Sequence, residues 1–269
     1  MQLITKHGLV LQGCGKMGSA LLSGWLENGV PASSVWINDP APSNWIKSLD
    51  IHLNTTLPAA PAVVLLAVKP QIMQDVLLAL RHMRNSSTLF VSVAAGVTLA
   101  QFENILGANT PVIRVMPNTP VAVGQGISAM IGNAQANAVQ IALATELMAA
   151  VGRVVHLDNE AQMDAVTGVS GSGPAYVFHL IETLAAAGIA EGLSKALAFE
   201  LALETVAGAG ALARAADETP EQLRINVTSP NGTTQAALEV LMEVETGFGP
   251  LLRRAVRAAS LRSRELSSG

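Results

Sequence analysis

Two stretches of this chain combine residue types that could hold charged ligands, and they lie at opposite ends of the sequence. Residues 222–238 read Gln-Leu-Arg-Ile-Asn-Val-Thr-Ser-Pro-Asn-Gly-Thr-Thr-Gln-Ala-Ala-Leu. Asn226 and the run Thr228 to Thr234 crowd small hydroxyls, a turn pair and exposed backbone N–H groups ahead of the apolar-periodic Ala237, Leu238 and Leu241. Free N–H groups at a helix start bind anions, and this cradle fits a carboxylate. The other stretch is Gly13-x-Gly15-x-x-Gly18, which follows a strand-like run and opens a helical pattern. In that context the glycines permit a tight turn, close approach of the backbone to a pyrophosphate and close helix packing, which suits a dinucleotide.

The elements that must position these stretches follow from hydrophobic periodicity. Strand signals occur at Leu9–Gln12, Val35–Asn38, Ala62–Val68, Leu89–Val93, Val112–Met116, Gly126–Ile131 and Arg153–His156. Helical patterns fall between several of them, at Met17–Asn28, Gln71–Met83, Leu99–Leu106 and Asn137–Val151. The alternation predicts a doubly wound α/β domain over residues 1–157. The runs at 62–68 and 89–93 are almost continuously apolar, as central parallel strands covered on both faces require.

Beyond Asp158 the strand signals vanish, and residues 158–269 read as an all-α domain. Gly173-Pro174 opens one helix, Ser194 caps another reaching about Ala215, and Thr219-Pro-Glu-Gln222 has a capping-box pattern. The helix over 195–215 is apolar nearly all round, so it needs cover on more than one side. That requirement predicts a dimer formed through this region.

Composition narrows the function classes. Half of the 269 residues are apolar, the net charge is −4 and basic runs are absent, which argues against nucleic acid. Arg253, Arg254, Arg257, Arg262 and Arg264 suit a solvated helix face. The single cysteine, Cys14, and five dispersed histidines offer no disulfide and no metal set. Neither a signal segment nor a membrane span is expected, and a cytoplasmic location is.

In the first domain, Asp39 ends the second strand where an acidic side chain accepts hydrogen bonds from a ribose 2′-OH. Lys69-Pro70 and Ala94-Ala95-Gly96 lie at carboxyl ends of strands, where ligands bind in open α/β sheets. Arg114-Val-Met-Pro-Asn-Thr-Pro120 ends the fifth strand in a rigid turn that offers an amide and a hydroxyl to a nicotinamide ring.

Gly13-Cys-Gly-Lys-Met-Gly18, Ala67-Val-Lys-Pro70, Ser92-Val-Ala-Ala-Gly96, Arg114 to Pro120, Gly168-Val-Ser-Gly-Ser-Gly-Pro-Ala-Tyr176 and Val227 to Thr234 together closely resemble pyrroline-5-carboxylate reductase. The resemblance implies a Rossmann domain followed by a helical dimerisation domain, and reduction of 1-pyrroline-5-carboxylate to L-proline. It assigns Gly13, Gly15, Lys16, Met17 and Gly18 to the pyrophosphate and Asn38, Asp39 and Asn54 to the adenine ribose. Val68, Lys69, Pro70, Ala94, Gly96, Met116, Asn118 and Thr119 would line the rest of the dinucleotide, and Ser229, Gly232, Thr233 and Thr234 the substrate. The family's active sites lie near the subunit interface and are expected to need the dimer.

Several positions depart from the family pattern. Gln12 occupies a usually apolar strand position, Arg224-Ile225 replaces a frequent Lys-Asp pair, and Asn231 stands where Gly is common. Asn is the best replacement for Gly at positive φ. Asp39 favours NADH, whereas the family's frequent use of NADPH, and Asn54, lean the other way; both cofactors stay open.

Reduction of a cyclic imine asks little of the protein beyond position, because a protonated C=N bond is already electrophilic and the cofactor supplies the hydride. Charge-assisted hydrogen bonds to the carboxylate, roughly 1.5 to 3 kcal/mol each, should outweigh a helix dipole of about 0.3 to 1 kcal/mol. Thr234 is the candidate for a bond to the ring nitrogen or carboxylate, with Ser170, Ser172 and Tyr176 packing round the nicotinamide. Two alternatives are a β-hydroxyacid dehydrogenase and a dinucleotide-binding regulatory dimer. The first places a catalytic Lys soon after a Gly-rich helix start, but Gly171 to Leu180 contains none and His179 reads as a core or interface residue. The second would not need the Thr-rich loop.

Overall fold

The computed structural model describes residues 1–268, with side chains to Leu266. The chain forms two compact units, Met1–Gly171 with Ala259–Gly269, and Ser172–Ala258. The first holds an eight-stranded sheet: β1 (Leu9–Gln12), β2 (Val35–Asn38), β3 (His52–Leu53), β4 (Val63–Leu66), β5 (Leu89–Ser92), β6 (Val112–Met116), β7 (Gly126–Gly132) and β8 (Gly152–His156). Their order is β3-β2-β1-β4-β5-β6-β7-β8, and only β7 runs against its neighbour β6. The expected α/β sheet is present.

Helices α1 (Gln2–His7), α2 (Lys16–Glu27), α3 (Asn44–Lys47), α4 (Met73–Ala79), α5 (Leu99–Leu106), α6 (Ala138–Ala149) and α7 (Met163–Val166) belong to this unit. Side chains alternate across the sheet. Leu9 and Leu11 join Leu21, Leu22 and Trp25 of α2 and Leu147 of α6 on one face, while Val10, Val64 and Leu66 join Leu77 of α4 and Phe102 of α5 on the other. Trp25 is fully buried and its indole N–H donates to the Leu147 carbonyl at 2.8 Å. Helices α5 and α6 begin with reciprocal caps, Thr98 with Gln101 and Asn137 with Gln140.

The units divide at Gly171, later than the composition shift at 157/158, because residues 160–171 are tied to the sheet. Glu160 accepts from the Arg114 guanidinium at 2.5 Å and from the Leu99 N–H at 2.8 Å, and Met163 is buried.

The second unit contains α8 (Gly173–Ala190), α9 (Lys195–Ala215), α10 (Pro220–Asn226), α11 (Thr233–Leu241) and the first half of α12 (Phe248–Ser268). Ser194 and Thr219 cap α9 and α10 as their sequence predicts. The Gln222 amide, however, reaches forward to Asn226 at 2.8 Å instead of closing a capping box. The buried core of this unit is small, with Ile181 and Ala185 of α8 against Ala198 and Ala202 of α9. Phe178, Leu184, Phe199, Leu201 and Leu212 stay exposed. Among the described helices α9 alone has the length and composition to cross a membrane.

Candidate functional site

In the first unit the parallel register aligns the carboxyl ends of β2, β1, β4, β5 and β6 along one edge, pairing Gln12 with Asn38 and Leu66, and Ser92 with Leu66 and Arg114. The Gly-rich loop leaves β1 at this edge. Gly13 has φ +80°, and a Cβ there would lie 2.9 Å from Val68 Cγ1 and 3.0 Å from the Ala67 carbonyl oxygen. A Cβ on Gly18 would meet the Gly13 carbonyl oxygen at 3.1 Å. Gly15 differs: its φ of −69° suits any residue, and among the described residues nothing lies within 4 Å of where its Cβ would be. The protein itself therefore demands glycine at 13, leaves little room for a side chain at 18 and constrains 15 not at all, where the open backbone ahead of α2 is the space a pyrophosphate would use. Lys16 and Met17 follow as the first helical residues, Lys16 exposed.

Asp39, buried at 9 % exposure, braces this loop. Its Oδ2 accepts the Cys14 N–H at 2.6 Å and its Oδ1 the Ala41 N–H at 2.8 Å. Asn54, in the left-handed conformation at φ 51°, clamps the Asp39 backbone: its Oδ1 accepts the Asp39 N–H and its Nδ2 donates to the Asp39 carbonyl, both at 2.9 Å. Asn38 donates to Gln12 Oε1 at 3.1 Å, and Gln12 Nε2 is buried at the edge without a hydrogen-bond partner among the described residues. Burial, with the Asp39 charge adding to it, pushes the Cys14 thiol up to about 11 against the lowering effect of Ser19. Ser19 Oγ lies 3.7 Å from the sulfur and donates to the Cys14 carbonyl at 2.9 Å.

The remaining sequence-predicted residues line the same edge with different surroundings. Val68 packs against Gly13, while Lys69 is exposed and precedes a short 3₁₀ turn begun by Pro70. Ala94 is buried, and Gly96 has φ +74° with the last turn of α12 on top of it: its Cβ would sit 2.6 Å from Leu266 Cβ. Met116 is buried with its sulfur 3.5 Å from where a Gly171 Cβ would be. Asn118 spends its carbonyl oxygen on the Ile127 N–H at 2.9 Å, and Thr119 is exposed. Arg114 is neutralised by Glu160 inside the unit. A depression of about 690 Å³, lined by Leu3, Ala62, Ser87 and Leu143, opens by the amino ends of β4 and β5, away from the Gly-rich loop. The strand-end chemistry outweighs its size.

In the second unit the Thr-rich stretch forms a turn and then a helix start. The Gly232 N–H donates to the Ser229 carbonyl at 3.0 Å, and Asn231 takes φ 58°, the left-handed position for which Asn replaces Gly. A Cβ at 232 would sit 2.3 Å from Ser229 Oγ, which can rotate away, and 3.0 Å from the Ser229 carbonyl oxygen, so glycine keeps the turn at its tightest. Gly232 is the N-cap of α11, so Thr233 and Thr234 occupy its first turn, and no side chain caps it. Thr234 is half-buried and Thr233 exposed. Thr228 is tied back to the Arg224 carbonyl at 2.6 Å, and Asn226 to Glu218, so these two members of the run stabilise α10. The segment 167–171 is a π-helical turn, within which Ser170 donates to the Val166 carbonyl at 3.1 Å. His179 is exposed and pairs with Glu182 on its own helix at 3.2 Å.

Sequence reasoning did not find the Asn54 clamp or the Leu266 contact. Each joins residues far apart in sequence, so neither leaves a local signal.

Comparison with known proteins fits both units. Residues 160–266 match the family model for pyrroline-5-carboxylate reductase dimerisation, and residues 8–96 match one described as NADP oxidoreductase, coenzyme F420-dependent. A pyrroline-5-carboxylate reductase of Pseudomonas aeruginosa is 43 % identical over 261 residues, 95 % of each chain. The chain belongs to the pyrroline-5-carboxylate reductase family. A Pisum sativum member is 40 % identical over 95 % of this chain and 94 % of its own. The structure of the Coxiella burnetii reductase superposes with a TM-score of 0.88 at 32 % identity, covering 97 % of this chain and 98 % of that one. The Plasmodium falciparum reductase, solved with NADP bound, gives 0.86 at 29 % identity over 98 % and 99 %. As a member of this family the chain is an NAD(P)-dependent oxidoreductase with a dimerisation domain, and that domain contains the exposed apolar faces of α8 and α9.

Proposed function

We propose that the chain reduces 1-pyrroline-5-carboxylate to L-proline as a cytoplasmic homodimer, the first unit holding NAD(P)H and the second the substrate carboxylate. The observation that carries this reading is the pairing in one chain of the open Gly15 backbone with the uncapped start of α11. When bound, the reduced nicotinamide supplies a hydride to the imine carbon, and a proton on the ring nitrogen completes the amine. The chain's own work is to bind and orient. Backbone N–H groups of the first turn of α11 and the hydroxyls of Ser229, Thr233 and Thr234 hold the carboxylate, with Thr234 at the ring nitrogen or carboxylate. Gly13, Gly15, Lys16, Met17 and Gly18 take the pyrophosphate. Val68, Lys69, Pro70, Ala94, Gly96, Met116, Asn118 and Thr119 carry the dinucleotide along the strand ends.

The exposed apolar residues of α8 and α9 need a partner surface, and a second copy of the chain satisfies them without a bilayer. The test follows loss of reduced-nicotinamide absorbance with pyrroline-5-carboxylate. Thr234→Ala is expected to lower kcat/KM at least about tenfold, the size of one charge-assisted hydrogen bond, with dinucleotide affinity unchanged. An unchanged rate would remove Thr234 from the site. No turnover in a protein that binds dinucleotide would favour the regulatory dimer.

A further inference from the structure

We propose that Asp39, held in place by Asn54, makes this chain select NADH over NADPH. The inference rests on the dinucleotide-binding role of the first unit and adds the choice of cofactor. Asp39 stands at the carboxyl end of β2, directly beside the Gly-rich loop, because Gly13 donates to the Asn38 carbonyl at 2.9 Å and Cys14 to the Asp39 carboxylate at 2.6 Å. Each carboxylate oxygen has accepted one backbone N–H, so each keeps a lone pair, and a carboxylate offers about four acceptor sites in all. A ribose 2′-OH can donate to such an oxygen. A 2′-phosphate has no proton to donate and brings its own negative charge.

Nothing nearby reverses that preference. The sequence contains no Lys or Arg between Lys16 and Lys47, nor between Lys47 and Lys69, so the turn after β2 supplies no guanidinium or ammonium for a 2′-phosphate. No ion pair neutralises Asp39 among the described residues. At 9 % exposure little water screens it.

Asn54 offers a 2′-phosphate no more than the second N–H of its amide, which carries no charge to offset that of Asp39. Both heteroatoms of its amide are bound to the Asp39 backbone, the N–H on one side and the carbonyl on the other. It is a positioning residue: the clamp fixes the main chain from which the carboxylate projects. Its φ of 51° means that glycine at 54 would keep the backbone while deleting the clamp.

The test measures dissociation constants of NADH and NADPH for the full-length apo protein by fluorescence titration, with adenosine 5′-monophosphate and adenosine 2′,5′-bisphosphate as competitors. No substrate is present, so the result is independent of what the enzyme reduces. The wild-type protein is expected to bind NADH about 10- to 100-fold more tightly than NADPH, the span of one charge-assisted hydrogen bond. Asp39→Asn should bring the ratio to within about threefold of unity. Asn54→Gly should lower it in the same direction with little change in melting temperature. A merely structural Asn54 would weaken both cofactors equally.

Wild-type protein that binds NADPH as tightly as NADH overturns the proposal, and so does an unaltered ratio in a folded Asp39→Asn variant. A protein that binds neither dinucleotide overturns the cofactor reading beneath it. NADH-selective binding without reduction of pyrroline-5-carboxylate sinks the proposed substrate and leaves this inference standing.

Discussion

Gly13 and Gly15, in the loop after β1, should separate stability from cofactor binding. Alanine at 13 must adopt φ +80°, at about 1 to 2 kcal/mol, and must push Val68 Cγ1 and the Ala67 carbonyl aside, at about 1 to 3 kcal/mol. Gly13→Ala should therefore lose roughly 2 to 5 kcal/mol, a drop in melting temperature of about 4 to 20 °C for a unit of this size. Gly15→Ala meets neither penalty, since its φ is −69° and the space is empty. Loss of a glycine N-cap costs some tenths to about 1 kcal/mol, and a stiffer unfolded chain returns about 0.4 to 1 kcal/mol, so the net change is close to zero. The added methyl group nevertheless fills the approach to the backbone, and losing one charge-assisted hydrogen bond weakens binding about 10- to 150-fold. Differential scanning fluorimetry of the apo protein and dinucleotide titration measure the two effects side by side. Gly15→Ala with wild-type affinity, or with a melting temperature as low as that of Gly13→Ala, would refute the assignment of the pyrophosphate to the space above Gly15.

Burial also sets the reactivity of the one cysteine. With its thiol pushed up to about 11, Cys14 carries little thiolate at pH 8, so alkylation of the native protein by iodoacetamide should be far slower than in urea, rising about tenfold per pH unit and levelling only above about 11. Glu160→Ala leaves the Arg114 guanidinium buried without its carboxylate. A fully buried pair would lose about 3 to 5 kcal/mol; with Glu160 28 % exposed, roughly 1 to 3 kcal/mol is expected, read by urea denaturation. Sedimentation velocity should find the chain self-associated, and Phe199→Lys on the exposed face of α9 should shift it toward monomer.

The sheet was legible because its strands are apolar runs bounded by turns. β1, β2 and β6 fall on the residues that periodicity alone selects, and the long runs at 62–68 and 89–93 were trimmed only at their ends. β3 was not legible: two residues cannot show an alternating pattern, and the strand is held by its pairing with β2 and by the stacking of His52 on Trp36, ring centres 4.3 Å apart. The dimerisation family model begins at residue 160, close to the composition shift at 157/158, whereas the first compact unit runs on to Gly171 because strand signals end before the chain leaves the sheet. Glu160 and Met163 sit in helical stretches that nonetheless pack on β-structure, and helical periodicity does not name the surface a helix covers. The same limit hid the destination of α12. Of the candidate site, the positions of Gly13 and Asn231 could be inferred because their backbone geometry restricts residue type, and those of Gly18 and Gly232 because little room is left for a side chain. The role of Asn54 could not, since a side chain that bonds to a backbone fifteen residues earlier leaves no periodic trace.

The return of α12 bears on the order in which the chain can fold as it is made. Leu266 lies over Gly96, and Ser263 donates to Asp164 at 2.7 Å, so the unit that begins the chain is finished only by its last ten or so residues. All of the second unit must leave the ribosome before that contact can form. Until then the carboxyl ends of the strands lack part of their cover, and the apolar helices of the second unit are already exposed. Folding of the first unit is thereby coupled to synthesis of the second half of α12, and chains cut short before it would expose the apolar helices of the second unit while the sheet lacks that cover.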